Sequence, residues 1–358
     1  MIANVEMSKT LWNLAAMEEI PALPHYSFVR EALQEEIRDN YDHITLLLSL
    51  LYEPESVQLV RTSVELGTPD SVQYALELLD LFVEPDLKPK LIPLLDDSPT
   101  SDKLEKLQIF FPRENYNPIQ TINYIMNRDF NYNNRWTKVC AVQATAYVPE
   151  FRVSRGLISQ MFNQDRLLQE TTAWVIYNKD KAAYQTVADR LPYKDKKFLD
   201  SALENNQLLD GLDDGFFLGI EMVMLIKKLP AFQGISGKIL SDLADKILPI
   251  TLKPGEKLTI QVGESPILIQ AFGTTTLKNN EEVVQELNQD EVFGDLFHEG
   301  PTPTITQIEA KNRAVVFKIN LVDFYFVMAS HYDLAQGLIR NVTENKKENI
   351  GVDSQILK

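Results

Sequence analysis

Phe293-Gly294-Asp295-Leu296-Phe297-His298-Glu299-Gly300-Pro301-Thr302-Pro303-Thr304-Ile305-Thr306 is the stretch on which the reading of this chain turns. Its glycines and prolines are turn signals between strand-like runs. Its charge has one sign: Asp295 and Glu299 are acidic, and no Lys or Arg occurs between Lys278 and Lys311. Short alternating runs flank it, at Leu248 to Leu252, Lys257 to Gln261, Ile267 to Phe272, Thr274 to Lys278, Val283 to Leu287, Thr304 to Ala310 and Ala314 to Ile319. Runs of this length between glycines predict a small β-barrel or jelly roll. Helices are expected before it, at Phe216 to Lys228 and Gly237 to Ile247, and after it, from Leu321 to Thr343.

Further upstream the texture is different. From Met7 to Leu203 apolar residues recur at three and four, as in Phe28, Ala32, Leu33, Ile37, Ile44, Leu47, Leu48 and Leu51, and strand-like alternation is absent. Breaks such as Glu53-Pro54, Gly67-Thr68-Pro69-Asp70, Asp96 to Pro99 and Asn131 to Asn134 carry turn or helix-start chemistry. Ala75, Ala141 and Ala173 each sit in the apolar face of a helix, at intervals of 66 and 32 residues. A period in the low thirties built of helix pairs predicts an α-solenoid, with an irregular helical bundle as the alternative. The expected organisation is a helical domain over 1–207, a linker over 208–219, the β module over 220–345 and a tail over 346–358.

Composition removes several functions. The formal charge of -16 argues against a nucleic-acid partner and against an anionic membrane face. Cys140 is the single cysteine, so an internal disulfide or a multi-cysteine metal site is excluded. His25, His43, His298 and His331 are scattered without zinc-site spacing. Asp210, Asp214, Gly215 and Glu221 fall at places one, five, six and twelve of a calcium-loop pattern, but Leu212 and Leu218 occupy two ligand positions, so a plain linker is expected. No nucleophile elbow, phosphate loop or dinucleotide signature is present, and no enzyme activity is expected.

The order of parts, with Phe232-Gln233-Gly234-Ile235-Ser236, Leu252-Lys253-Pro254-Gly255-Glu256, Gly263-Glu264, Gly273, Phe293-Gly294 and Asp323-Phe324, resembles the cyclic-nucleotide-binding domain family over about residues 220–345. The resemblance implies that the opening stretch is the family's phosphate-binding cassette, written there Phe-Gly-Glu-Leu and then Pro-Arg-Ala-Ala. It makes Phe293, Gly294, Asp295, Leu296, Thr304, Ile305 and Thr306 the candidate pocket. In the family, backbone amides and the arginine hold the cyclic phosphate, and the glutamate accepts from the ribose hydroxyl. Asp295 stands for that glutamate with a shorter reach, and Thr304 stands for the arginine with a hydroxyl and no charge. Asp290 also replaces a common glycine. A charged hydrogen bond contributes about 1.5–3 kcal/mol, so this loss weakens binding by about tenfold to a hundredfold or more. Arg313 would reach the pocket only by folding back over it.

The helical half resembles degenerate HEAT repeats. Ala75-Leu76-Glu77-Leu78-Leu79-Asp80 and Pro93-Leu94-Leu95-Asp96-Asp97 are also similar to the soluble tail of some bacterial transporters of the ADP/ATP-translocase kind. That is the reading to pursue if Met1 is not the native start. The expected function is a non-catalytic regulatory or protein-interaction module, cytoplasmic and without a cofactor, docking a protein partner through its helices. Contact with a membrane would be indirect, at its inner face as part of a transporter. A nucleotide-gated regulator is the competing expectation.

Overall fold

Helix starts in the first half of the chain are set by local capping chemistry. In the computed structural model, which describes residues 2–205, 217–261, 263–297 and 301–341, Glu53, Thr68, Asn117 and Asn134 each accept a backbone N–H three residues on. Proline follows directly at Pro54, Pro69 and Pro118, where a missing N–H costs nothing. The chain divides into two compact units, residues 1–152 and 153–358.

The first unit holds α1 (Ile2–Glu19), α2 (Ser27–Leu51), α3 (Pro54–Leu66), α4 (Pro69–Phe82), α5 (Lys88–Leu95), α6 (Thr100–Leu107), α7 (Pro118–Asn127) and α8 (Arg135–Thr145). Consecutive helices pack on one another from α1 to α6, α6 and α7 both pack on α1, and α8 packs on α7 and α2. The core formed by α1 to α6 draws one or two side chains per helix, including Met7, Leu11, Ile44, Leu48, Val57, Val60, Ala75, Leu79, Leu91, Leu94 and Leu107. The apolar face read over Phe28 to Leu51 is one helix of 25 residues, although Leu51 at its end is 68% exposed.

The second unit opens with α9 (Arg155–Gln160), α10 (Arg166–Lys179), α11 (Lys181–Ala188) and α12 (Tyr193–Asn205). These helices group with the β module, so the division falls ahead of the 208–219 linker used as a sequence boundary. The physical tie is α10 against α13 (Gly219–Lys228). Buried Glu170 on α10 accepts the Gly219 amide at 2.8 Å and Arg166 Nε at 2.5 Å. The calcium-loop positions Asp210, Leu212, Asp214 and Gly215 and the 346–358 tail lie outside the described residues. Glu221, the last of that pattern, is a helix-start residue whose carboxylate accepts the Leu218 amide at 3.1 Å.

After α14 (Gly237–Ala244) come β1 (Ile247–Leu252), β2 (Lys257–Thr259), β3 (Ile267–Phe272), β4 (Thr275–Asn279), β5 (Glu282–Leu287), β6 (Val292–Phe293), β7 (Gln307–Ala310) and β8 (Ala314–Ile319). They form two antiparallel four-stranded sheets, ordered β1-β8-β3-β6 and β2-β7-β4-β5. This is a sandwich with the alternating strand order of a jelly roll; the barrel expectation is corrected, because no hydrogen-bonded pair joins the two sheets among the described residues. Leu268, Phe293, Ala314 and Val316 from one sheet meet Leu277, Leu287, Ile305 and Ile308 from the other segments in its core. Outside the sandwich, Phe317 faces Phe217, ring centroids 6.0 Å apart.

The closing helix expected over Leu321 to Thr343 is also corrected. α15 (Leu321–Ser330) stops at extended His331, and a second helix covers 332–341. The stop has a tertiary cause: His331 Nε2 lies 2.8 Å from Asp242 of α14.

Candidate functional site

The cassette begins where β6 is pinned to the sheet. Phe293 sits opposite Leu268 of β3, and its ring is in the sandwich core. Gly294 then turns the chain at φ +145, and a Cβ there would stand 2.5 Å from Ile267 Cδ1 and 3.1 Å from Ile267 Cα. Only glycine fits so close an approach of two backbones. The Phe297 amide closes a turn on the Gly294 carbonyl at 3.1 Å. Phe297 packs its ring near Phe232 and Phe324, at 6.0 and 6.2 Å between centroids.

Asp295 is exposed, and its carboxylate is already engaged. Tyr325 of α15 donates its hydroxyl to one oxygen, and Thr302 donates to the other at 3.2 Å. The hydrogen bond to Asp295, with some burial, raises the Tyr325 phenol above its ordinary range. The atom that the family resemblance assigns to a ribose hydroxyl thus ties the cassette to the helix that follows the sandwich. Leu296 is 36% exposed beside it.

The second half of the cassette is structural over much of its length. Thr304 is exposed, whereas Ile305 is buried in the sandwich core. Thr306 stitches strands: its amide donates to the Lys278 carbonyl at 2.8 Å, its carbonyl takes the Ile260 amide at 2.9 Å, and its hydroxyl takes the Asn280 amide at 2.7 Å. The seven candidate residues are therefore one segment with three occupations. Phe293 and Ile305 fill the core, Gly294 and Thr306 hold backbone, and Asp295, Leu296 and Thr304 face outward.

Cations near this end are committed elsewhere. Lys278 donates to Glu309 at 2.6 Å, with Lys257 at 3.8 Å from the same carboxylate, and that contact holds the Glu309 carboxyl below its usual range. Arg313 does not fold back. It lies over the ring of Phe272 at 5.5 Å. Phe272 is the far end of β3 from Ile267, about 17 Å away at ~3.3 Å per residue. Gly273 fixes that turn at φ +72, where a Cβ would meet the Arg313 carbonyl at 2.1 Å.

Two residues matter here that the sequence reading passed over. Tyr325 is 30 residues from Asp295, and nothing periodic links them. Lys318 of β8 stands opposite Leu268, in the row that contains Phe293, so its side chain shares the inner face at the cassette end, about 10 Å from Phe293 across ~4.8 Å strand spacings. It is paired with Glu264, and the hydrogen bond from Lys318 keeps that carboxyl low. Alternation around Phe317 and Ile319 could have flagged a lysine on an inward position.

Asp290, at the place of the common glycine, adopts φ +70 and donates its amide to the Gln270 carbonyl at 2.8 Å. Aspartate tolerates that left-handed conformation better than most residues. Among the described residues no helix is long and apolar enough to cross a membrane, and no three His, Cys, Asp or Glu side chains gather as a metal-ligand set.

No family model matches the chain, and no curated protein matches it. Among the solved structures similar to about a third of it are two described as putative cyclic nucleotide-binding proteins, from Geobacter metallireducens and Ruegeria pomeroyi. A third is the N-terminal domain of a transcriptional regulator from Streptomyces coelicolor A3(2), at 15% identity, covering 36% of this chain and 94% of that one with a TM-score of 0.29. Another is a cyclic nucleotide-binding-like protein from Brucella abortus, at 17% identity, covering 30% of this chain and 98% of that one with a TM-score of 0.24. The regulatory domain of Toxoplasma gondii PKA with cAMP is 17% identical, covering 33% of this chain and 48% of that one with a TM-score of 0.26.

Proposed function

We propose that this chain is a non-catalytic, intracellular regulatory protein. It docks a protein partner through its helices, takes no cofactor, and carries a cyclic-nucleotide-binding-like sandwich that does not take up cyclic nucleotide. The observation behind this reading is the state of Asp295, whose two oxygens already accept from Tyr325 and Thr302. A nucleotide would have to share that carboxylate with both donors and bring a phosphate monoanion to a segment where Thr304 offers no charge. Lys278 and Lys318 answer Glu309 and Glu264 instead. Desolvating an anion without a counter-charge is costly.

Burial of Ala75, Ala141 and Ala173, all at 0% exposure, supports HEAT-like packing, in which small residues let neighbouring helices approach. The charge of -16 weighs against nucleic acid as the partner. Calorimetric titration of the full chain with cyclic AMP and cyclic GMP at millimolar concentration tests the proposal. No saturable heat is expected; a saturable isotherm near one ligand per chain would overturn it.

A further inference from the structure

A cavity of about 480 Å³ lies within the N-terminal unit, walled by α2, α3, α4 and the segment from α5 to α6. Its apolar lining includes Ile44, Leu48, Val57, Val60 and Leu94, each no more than 4% exposed. The pocket is about half open to solvent, and its volume falls in the range of small-molecule sites, which run from ~300 to 1,000 Å³.

Three cations line this space, and one of them, Arg61, is held by Asp42 and Glu65. The Lys103 side chain is 13% exposed, and its ammonium donates to the carbonyls of Leu94 at 3.0 Å and Asp96 at 2.6 Å. An ammonium has three donors, and the Asp96 carboxylate at 3.9 Å is too far to accept the third. Burial pushes the Lys103 ammonium below its ordinary range, which a bound anion would reverse. Arg38 is exposed at the rim and makes no ion pair or hydrogen bond among the described residues.

Most of the acids on the same wall are occupied. Asp42 and Glu65 both hold Arg61, at 2.8 and 2.7 Å, and Asp96 takes Lys106 at 3.3 Å and the Ser98 amide at 3.1 Å. Asp97 is exposed at the edge. Tyr41 and Thr45, the neutral polar groups, donate to the Leu94 and Tyr41 carbonyls. An amine entering here would find carboxylates mostly engaged, and a neutral alcohol could accept the third Lys103 donor but would bring no counter-charge to it.

We propose that this cavity binds a small apolar monocarboxylate, with its hydrocarbon body against Ile44, Leu48, Val57 and Val60 and its carboxylate between Lys103 and Arg38. The site is independent of the cassette and of the function proposed above.

The test uses the full chain and three probes of one chain length: decanoate, decanol and decylammonium, each below its aggregation threshold. Calorimetry is expected to give saturable decanoate binding, one per chain, and about tenfold or more tighter than either other head group, as a charged hydrogen bond contributes. Arg38→Gln, which breaks no described contact, and Lys103→Met should each shrink the decanoate-over-decanol preference severalfold. Val64→Phe, which fills the cavity, should weaken binding of both. If Val64→Phe does not fold, the comparison of head groups on the unaltered chain still decides. Absence of saturable decanoate binding, equal affinity for all three probes, or a preference unmoved in both cation variants would overturn the proposal.

Discussion

One hydroxyl ties the cassette to the helix that follows the sandwich. Tyr325 holds Asp295 from α15, and because both groups are partly in water the link is worth little by itself. Tyr325→Phe is expected to lower stability in urea by about 0.5 kcal/mol, the low end for a hydrogen bond. A larger loss would mean the link also organises the turn at Gly294. Tyr41 is the opposite case, a phenol whose hydroxyl donates inward to the Leu94 carbonyl at 3.0 Å. Burial, helped by the Asp96 charge, pushes its pKa up to about 12. The folded state therefore favours the neutral phenol. Its contribution is complete below the unfolded value near 10 and is lost as pH rises through about 12, with about 1.4 kcal/mol for each pKa unit. Denaturation series from pH 9 to 12 should show stability falling in the unaltered chain and falling less steeply in Tyr41→Phe. Parallel slopes would contradict the assignment.

At the scale of elements, local chemistry was legible and long-range chemistry was not. Thr68-Pro69-Asp70 announces the start of α4, and the capping box between Thr68 and Ser71 is there because every atom it needs lies within four residues. The alternating strands were readable for the same reason. β6 was not, since Val292–Phe293 is too short to show a period. The stop at His331 depends on Asp242, 89 residues away. Equally hidden was the join between α1 and the chain entering α7, where Arg113 clamps Glu19 with two bonds of 2.6 Å. Burial pushes the Glu19 carboxyl up, but bonds from Arg113, the Tyr116 amide and Thr121 outweigh it and hold the group below its usual range. Both side chains are 11% exposed, so Glu19→Gln leaves a largely buried guanidinium without its counter-charge. A loss of about 3–5 kcal/mol is expected in chemical denaturation. A loss below about 1 kcal/mol, the worth of a surface pair, would show the clamp to be incidental.

For the whole molecule, the resemblance over residues 220–345 led to the fold of that module, and the proposal that it takes no cyclic nucleotide rests on residue chemistry. Alternation and glycine placement carried the jelly roll; whether its strands close into a barrel or lie in two sheets depends on pairings that no local pattern encodes. The missing cation was visible at Thr304, whereas the engagement of Asp295 required the folded chain. The most direct test is the thermal unfolding of the full chain with and without about 5 mM cyclic AMP or cyclic GMP, where a ligand binding only the folded state stabilises it in proportion to its occupancy. The account predicts an unchanged midpoint. A dissociation constant of about 50 µM would add about 2.7 kcal/mol and move the midpoint of a unit this size by about 5–10 °C, and a rise of that order would contradict it.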